Sequence, residues 1–146
     1  MNMAPLTELP QFIRPEANAL QNFRERIHLM ETTDAPRFEG KEPADPISIY
    51  KELLADYDAV FPKYSEKRIK LSGIVSKIED DEYGAPSFQF TDEKGTRCYA
   101  LIVFPSRDIY QKVHEGDRAE IIGNVAVIRE PYGLVVKKCE LLEVSN

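Results

Sequence analysis

Two distant segments of this chain share one pattern, Leu71-Ser72-Gly73-Ile74-Val75 and Ile121-Ile122-Gly123-Asn124-Val125, each an apolar residue, a glycine two positions on and a valine two positions after that. Each lies inside a long run that alternates apolar and polar residues. A glycine in mid-strand normally weakens a sheet, so a pair of them implies strands that coil sharply or pass closely over another part of the chain. A small closed barrel imposes that requirement.

The rest of the C-terminal half fits such a barrel. A period of two marks strands at about Arg68 to Glu79, Pro86 to Thr91, Arg97 to Phe104, Asp117 to Arg129 and Tyr132 to Val144. Turn chemistry separates them, in Glu79-Asp80-Asp81-Glu82-Tyr83-Gly84, Asp92-Glu93-Lys94-Gly95 and Glu130-Pro131-Tyr132-Gly133. Between the third and fourth strands, Ser106 reads as the cap of a short helix and Gly116 as its left-handed stop. The order β-β-β-α-β-β matches a mainly β protein, the five-stranded Greek-key OB-fold barrel.

Seven of the ten prolines fall in the first 62 residues, which sets that part of the chain apart. Leu20, Phe23, Ile27 and Met30 recur at helical spacing and predict an amphipathic helix over about 16–30. Its stripe has two readings, packing on the chain's own barrel or docking on a protein partner or a second copy. An extended connector follows over 31–44. Asp45 and Pro46 then form a helix entrance, and Ile49, Tyr50, Leu53, Leu54, Tyr57, Val60 and Phe61 give the next helix, about 46–61, a wide apolar face that Pro62 ends. The division is an N-terminal arm over 1–45 and an OB-fold domain with its leading helix over 46–146.

Composition excludes several functions. The chain has 146 residues, 19 Lys+Arg and 25 Asp+Glu, for a formal charge of −6, which argues against a protein that works by blanketing phosphates. Residues 1–67 hold 8 basic and 12 acidic side chains, and residues 68–146 hold 11 and 13, so the barrel is nearly balanced. Two cysteines, Cys98 and Cys139, are too few for a disulfide framework, or for a zinc site unless the two histidines, His28 and His114, both converge on them. The glycines are scattered singly, with no phosphate-cradling loop, and neither His28 nor His114 has a partner motif for nucleophilic catalysis. The expectation is a non-enzyme that needs no cofactor or metal. No apolar run approaches a membrane span and the N-terminus lacks a secretory layout, so a cytoplasmic location without membrane contact is expected.

Tyr50-Lys51-Glu52-Leu53-Leu54-Ala55-Asp56-Tyr57, Tyr64 ahead of Lys67-Arg68-Ile69-Lys70-Leu71-Ser72-Gly73-Ile74-Val75, His114-Glu115-Gly116-Asp117 with Gly123, and Lys137-Lys138-Cys139-Glu140-Leu141 resemble the tRNA_anti-like group of OB-fold proteins. The resemblance spans about residues 47–143. It implies a bacterial protein of a largely uncharacterised group presumed to bind nucleic acid.

OB barrels take ligands across strands two and three, between the loop that joins strands one and two and the loop that joins strands four and five. Here the first loop carries four consecutive carboxylates, Glu79 to Glu82, which would repel a phosphate backbone. Arg129, Tyr132, Lys137 and Lys138 around the last hairpin, with Arg68, Lys70, Arg97 and Tyr99, offer the opposite chemistry, cations interleaved with stacking rings. These side chains are either one binding patch or ordinary solvated strand faces. Phe88 and Phe90 share one face of strand two, as core if inward and as a stacking platform if outward. The expected function is a non-catalytic OB-fold module for single-stranded DNA or RNA, or a tRNA-like ligand, with modest affinity. The alternative is a protein-interaction adaptor that uses the 16–30 helix and the barrel surface.

Overall fold

The structure is a computed structural model that describes residues 34–129 and 133–146, with the backbone alone for 127–129. The helix expected over 16–30 lies outside the described residues.

Helix α1 spans Pro46–Ala55 and α2 spans Tyr57–Tyr64. Five strands follow, β1 (Arg68–Ser76), β2 (Ser87–Thr91), β3 (Cys98–Val103), β4 (Arg118–Arg129) and β5 (Gly133–Ser145), with a 3-10 helix at Arg107–Gln111 between β3 and β4. All five expected strands are present, within three residues of the expected ends. They hydrogen-bond in the order β1-β2-β3-β5-β4, and β4 returns to β1, so the sheet closes into a barrel. Among the pairings of these five strands β3–β5 is the parallel one, Ala100 facing Leu134 and Ile102 facing Val136. A hairpin cannot produce a parallel pair, and the 3-10 helix and β4 supply the intervening connection.

Alternation fills the barrel from every strand. Phe88 and Phe90 point inward and are essentially inaccessible, alongside Leu71, Val75, Ile102, Ile121, Val125 and Val136. The Phe88 ring sits 5.4 Å from Phe90 and 5.2 Å from Phe104, which places both phenylalanines of β2 in the core rather than on a stacking surface. β3 is apolar on both sides because Ala100 and Ile102 line the core while Tyr99, Leu101 and Val103 occupy the outer face.

The two mid-strand glycines answer to side chains crossing close by. A Cβ on Gly73 would stand 2.7 Å from the Phe90 ring. One on Gly123 would stand 2.5 Å from Cys139 Sγ and 2.7 Å from the Val136 side chain. Opposite Gly123 the β4–β5 ladder slips, Ile122 facing Glu140 and Asn124 facing Lys137, so Lys138 and Cys139 together oppose one residue. This is a β-bulge, and within it Lys138 has a positive φ of 53°.

The leading helix is two helices rather than one over 46–61. Asp45 Oδ1 accepts from Ile47 N at 3.0 Å and Pro46 occupies the first turn, as the sequence implies. Asp56 breaks the run at φ −159° and restarts it, its Oδ1 accepting from Ala59 N at 3.3 Å. Pro62 therefore falls inside α2 instead of ending it. The one backbone bond it forfeits is to the carbonyl of the exposed Asp58, so helix α2 tolerates it and stops at Tyr64. Tyr64 is buried, stacks on Phe38 with ring centroids 5.1 Å apart, and donates to the Glu52 carboxylate at 3.0 Å. Burial, then the Glu52 contact, raises its phenol pKa.

Residues 34–45 form a connector without helix or strand, bent at Ala35, Gly40, Glu42 and Pro43 rather than extended throughout, and they bridge to β1 at two points, Arg37 to Arg68 and Ala44 to Leu71. Arg68 N donates to Pro36 O at 2.7 Å, Phe38 N to Arg68 O at 2.9 Å and Ala44 N to Lys70 O at 2.8 Å. The short helix after β3 is a single 3-10 turn capped by Ser106 Oγ, which accepts from Asp108 N. Gly116 does adopt a left-handed φ of 94°, but it closes the separate turn in which Asp117 N donates to His114 O. His114 is thus an exposed turn residue 3.8 Å from the Asp117 carboxylate, not a helix-terminal one.

Candidate ligand groove

The cations and rings expected to form one patch are separated by the fold. Arg68 is only 4% exposed. Its Nη1 donates to the buried Asn124 Oδ1 at 3.0 Å and to Lys138 O at 3.1 Å, and its Nη2 pairs with Glu140 at 2.8 Å. That guanidinium clamps β1 to the β4–β5 bulge and is not available to a ligand. Lys70 lies half-buried on β1 under the connector, its backbone N–H donating to Glu42 Oε2 at 2.8 Å.

Arg97 and Tyr99 do meet, but under a helix. The Arg97 guanidinium sits 4.3 Å from the centroid of Tyr50 on α1 and 5.6 Å from that of Tyr99, and the two rings meet edge to face at 5.6 Å. The cluster holds α1 on β3. Tyr132 lies outside the described residues, as does the Arg129 side chain. Of the seven candidates, Lys137 is the one whose described side chain is exposed on an open groove.

That groove crosses the outer face of β3 and β5. Its main lobe has a volume of about 430 Å³, floored by Leu101, Val103 and Val135. One bank is the β1–β2 loop with Asp81, Glu82 and Tyr83, and the other is Lys137 with Lys138. The β5 bulge breaks strict alternation, so these two consecutive lysines border the same space. A second lobe of about 270 Å³ continues past Leu101 toward Gln89 and Lys77, and shares Asp81 and Glu82 with the first. Tyr83, 81% exposed, stands at the lip.

Tyr83 and Lys77 escaped the sequence reading. A signal for Tyr83 is present in the sequence: it is the one aromatic in the acidic loop Glu79 to Gly84, one of the two loops that the OB-fold expectation sets beside a ligand.

The acidic loop is built, and part of its charge is already engaged. Asp80 Oδ2 accepts from Arg107 Nη2 and its Oδ1 from the Tyr110 hydroxyl, both at 2.6 Å. Arg107 Nη2 also donates to Gly84 O at 2.9 Å, tying both ends of the loop to the 3-10 helix. The Tyr110 bond first, then the Arg107 bond, hold the Asp80 pKa below the usual carboxylate range. Asp81 Oδ1 accepts from Tyr83 N and Ala85 N at 2.9 Å each, fixing the turn that presents Tyr83. The repulsion expected of four adjacent carboxylates is therefore reduced by the Arg107 charge and by the turn's own N–H groups.

Other chemistry is sparse. Burial pushes the Cys98 thiol up to about 12 and raises Cys139 as well, which leaves neither a ready thiolate at neutral pH. Among the described residues no three His, Cys, Asp or Glu side chains gather as a metal site. No helix among the described residues is long and apolar enough to cross a membrane.

No family model matches the chain, and no curated protein matches it. Among solved structures it is similar to a lipoprotein of Klebsiella pneumoniae to which nucleic-acid binding has been ascribed. The identity is 15% and the TM-score 0.48, over 66% of this chain and 87% of the other.

Proposed function

We propose that this protein is a non-catalytic binding module of the OB-fold type, which takes a short stretch of single-stranded nucleic acid in the β3–β5 groove with modest affinity. The strand order, with its parallel β3–β5 closure, is what the OB-fold reading requires, and the resemblance to the tRNA_anti-like group points the same way. One observation carries the ligand assignment. An exposed tyrosine on a hydrogen-bonded loop faces two lysines across an apolar floor, on the side of the barrel where such folds receive oligonucleotides. A base stacks on Tyr83, and Lys137 and Lys138 meet the adjoining phosphates. Few cations and a neighbouring acidic bank limit the strength of that grip.

Fluorescence anisotropy with labelled single-stranded DNA and RNA at low salt tests this. The expected result is binding that weakens as salt rises, and that falls about 10-fold or more in Lys137→Glu with thermal stability unchanged. Absence of binding at roughly 100 μM, the weak end of non-specific affinity, would overturn it. A protein partner is the competing reading, favoured by the helix pair, where Leu54 is 70% exposed and Tyr57 stacks on Phe61 with centroids 5.4 Å apart. In the same titration it predicts no response to oligonucleotides from wild type or variant.

A further inference from the structure

Helices α1 and α2 leave apolar surface uncovered among the described residues. Leu54, near the end of α1, is 70% exposed and Tyr57 is 48% exposed, and Tyr57 stacks on the half-buried Phe61 of α2. The three recur at intervals of three and four, the spacing of a helix face that packs on another helix. Exposed charges border them in order. Lys51 lies one turn before Leu54, Asp56 and Asp58 stand at the start of α2, and Lys63 stands in its last turn, where it also meets Glu52 at 3.3 Å.

The chain delivers a matching segment to this place. Arg37 bridges to Arg68 in parallel, so residues before Arg37 run back beside Lys67 toward Ser65, the C-cap of α2. Ala35 is buried on that path and Phe38, just after it, stacks on Tyr64. Residues 31–33 span at most about 14 Å between Met30 and Asp34, so the stretch 16–30 must end close to the end of α2. Its apolar positions Leu20, Phe23 and Ile27 repeat the intervals of Leu54, Tyr57 and Phe61. On a helical wheel Arg24 and Arg26 flank that stripe on its two sides, and Glu25 falls opposite. As a helix the stretch would be about 22 Å long against about 12 Å for α2, enough to pass Phe61 and Tyr57 and reach Leu54.

We infer that residues 16–30 dock as a helix on the Leu54, Tyr57 and Phe61 face, parallel to α2. Ile27 then meets Phe61, Phe23 meets Tyr57 and Leu20 meets Leu54. The same register sets Arg24 and Arg26 beside Asp56 and Asp58, Glu31 beside Lys63, and Glu16 beside Lys51. The face is closed by the chain itself rather than held open for a foreign partner.

The chain has no tryptophan, so Phe23→Trp places a single reporter in the segment. In the full chain its fluorescence emission should lie well to the blue of the same protein in urea, and should not change over a roughly 100-fold range of protein concentration, since an intramolecular contact is independent of mass action. Leu54→Glu and Tyr57→Glu, both at exposed positions, should each remove most of that blue shift while circular dichroism still reports a folded barrel. Emission as red in buffer as in urea overturns the inference. A blue shift that survives in both face variants also overturns it, because the segment then sits elsewhere on the chain. A blue shift that grows with concentration, together with a doubled mass in light scattering, overturns it in favour of a second copy.

Discussion

Two regions of the described chain, the β3–α1 contact and the β3–β5 groove, each bring cations together with tyrosine, and they differ in what lies on top. At the β3–α1 contact, Arg97, Tyr50 and Tyr99 form a cluster of the kind that binds nucleic-acid bases, yet helix α1 is already its occupant. At the β3–β5 groove, Tyr83, Lys137 and Lys138 border open space over an apolar floor. Residue type is the same in both regions. Coverage by a second layer decides which region stabilises the fold and which can receive a ligand.

Arg68 belongs with the closed region and gives the largest expected effect. Arg68→Ala removes the donor to two acceptors, Asn124 Oδ1 and Lys138 O, at the bulge. Hydrogen bonds to a charged group contribute about 1.5–3 kcal/mol each, so urea unfolding should show a loss of about 2–5 kcal/mol. Glu140 is mostly exposed and adds little to that figure. A loss below about 1 kcal/mol would mean that water replaces the guanidinium and that the clamp is not structural.

Arg97→Ala breaks the comparison more directly. Loss of a partly desolvated cation–π contact should lower stability by about 1–2 kcal/mol and leave oligonucleotide affinity unchanged. If affinity falls as far as in Lys137→Glu, the covered cluster is part of the interface and the division into closed and open regions fails.

Much of the barrel was legible because its signals are local. Alternation placed all five strands, Gly73 and Gly123 announced close crossings, and Asp45-Pro46 announced a helix start. The groove was less legible for a physical reason. Arg68, Arg97 and Lys137 look alike in sequence, and what separates them is long-range: Asn124 and Glu140 are brought to Arg68 by barrel closure, and Tyr50 is brought to Arg97 by helix docking. The restart at Asp56 is hidden in the sequence because Pro62 is by propensity the stronger helix breaker, while the actual break is a backbone excursion beside a capping carboxylate. Tyr83 is masked in the sequence by the four carboxylates before it, and the bonds that engage Asp80 and Asp81 come from Arg107, Tyr110 and the folded turn.

The smallest expected effect concerns that loop, and it shows how firmly the open region is framed. Asp80 holds a lower pKa in the folded protein than the roughly 3.9 of an unfolded Asp, chiefly through the Tyr110 hydroxyl and then Arg107. A depressed carboxylate pKa contributes stability in full above the unfolded value and loses it as pH falls through the folded value. The tether should therefore hold at neutral pH and release only under acid stronger than an ordinary Asp requires. Amide chemical shifts of Gly84 and Ser87, followed on acidification, should move together in one step below about pH 4, and Asp80→Asn should remove that step. The two probes sit where the tether acts, since Gly84 O accepts from Arg107 and Ser87 N donates to the Tyr110 hydroxyl. A step that persists in Asp80→Asn would mean that the Asp80 tether does not carry the loop's acid response, and the bank of the groove would then be held by its own turn rather than by the 3-10 helix.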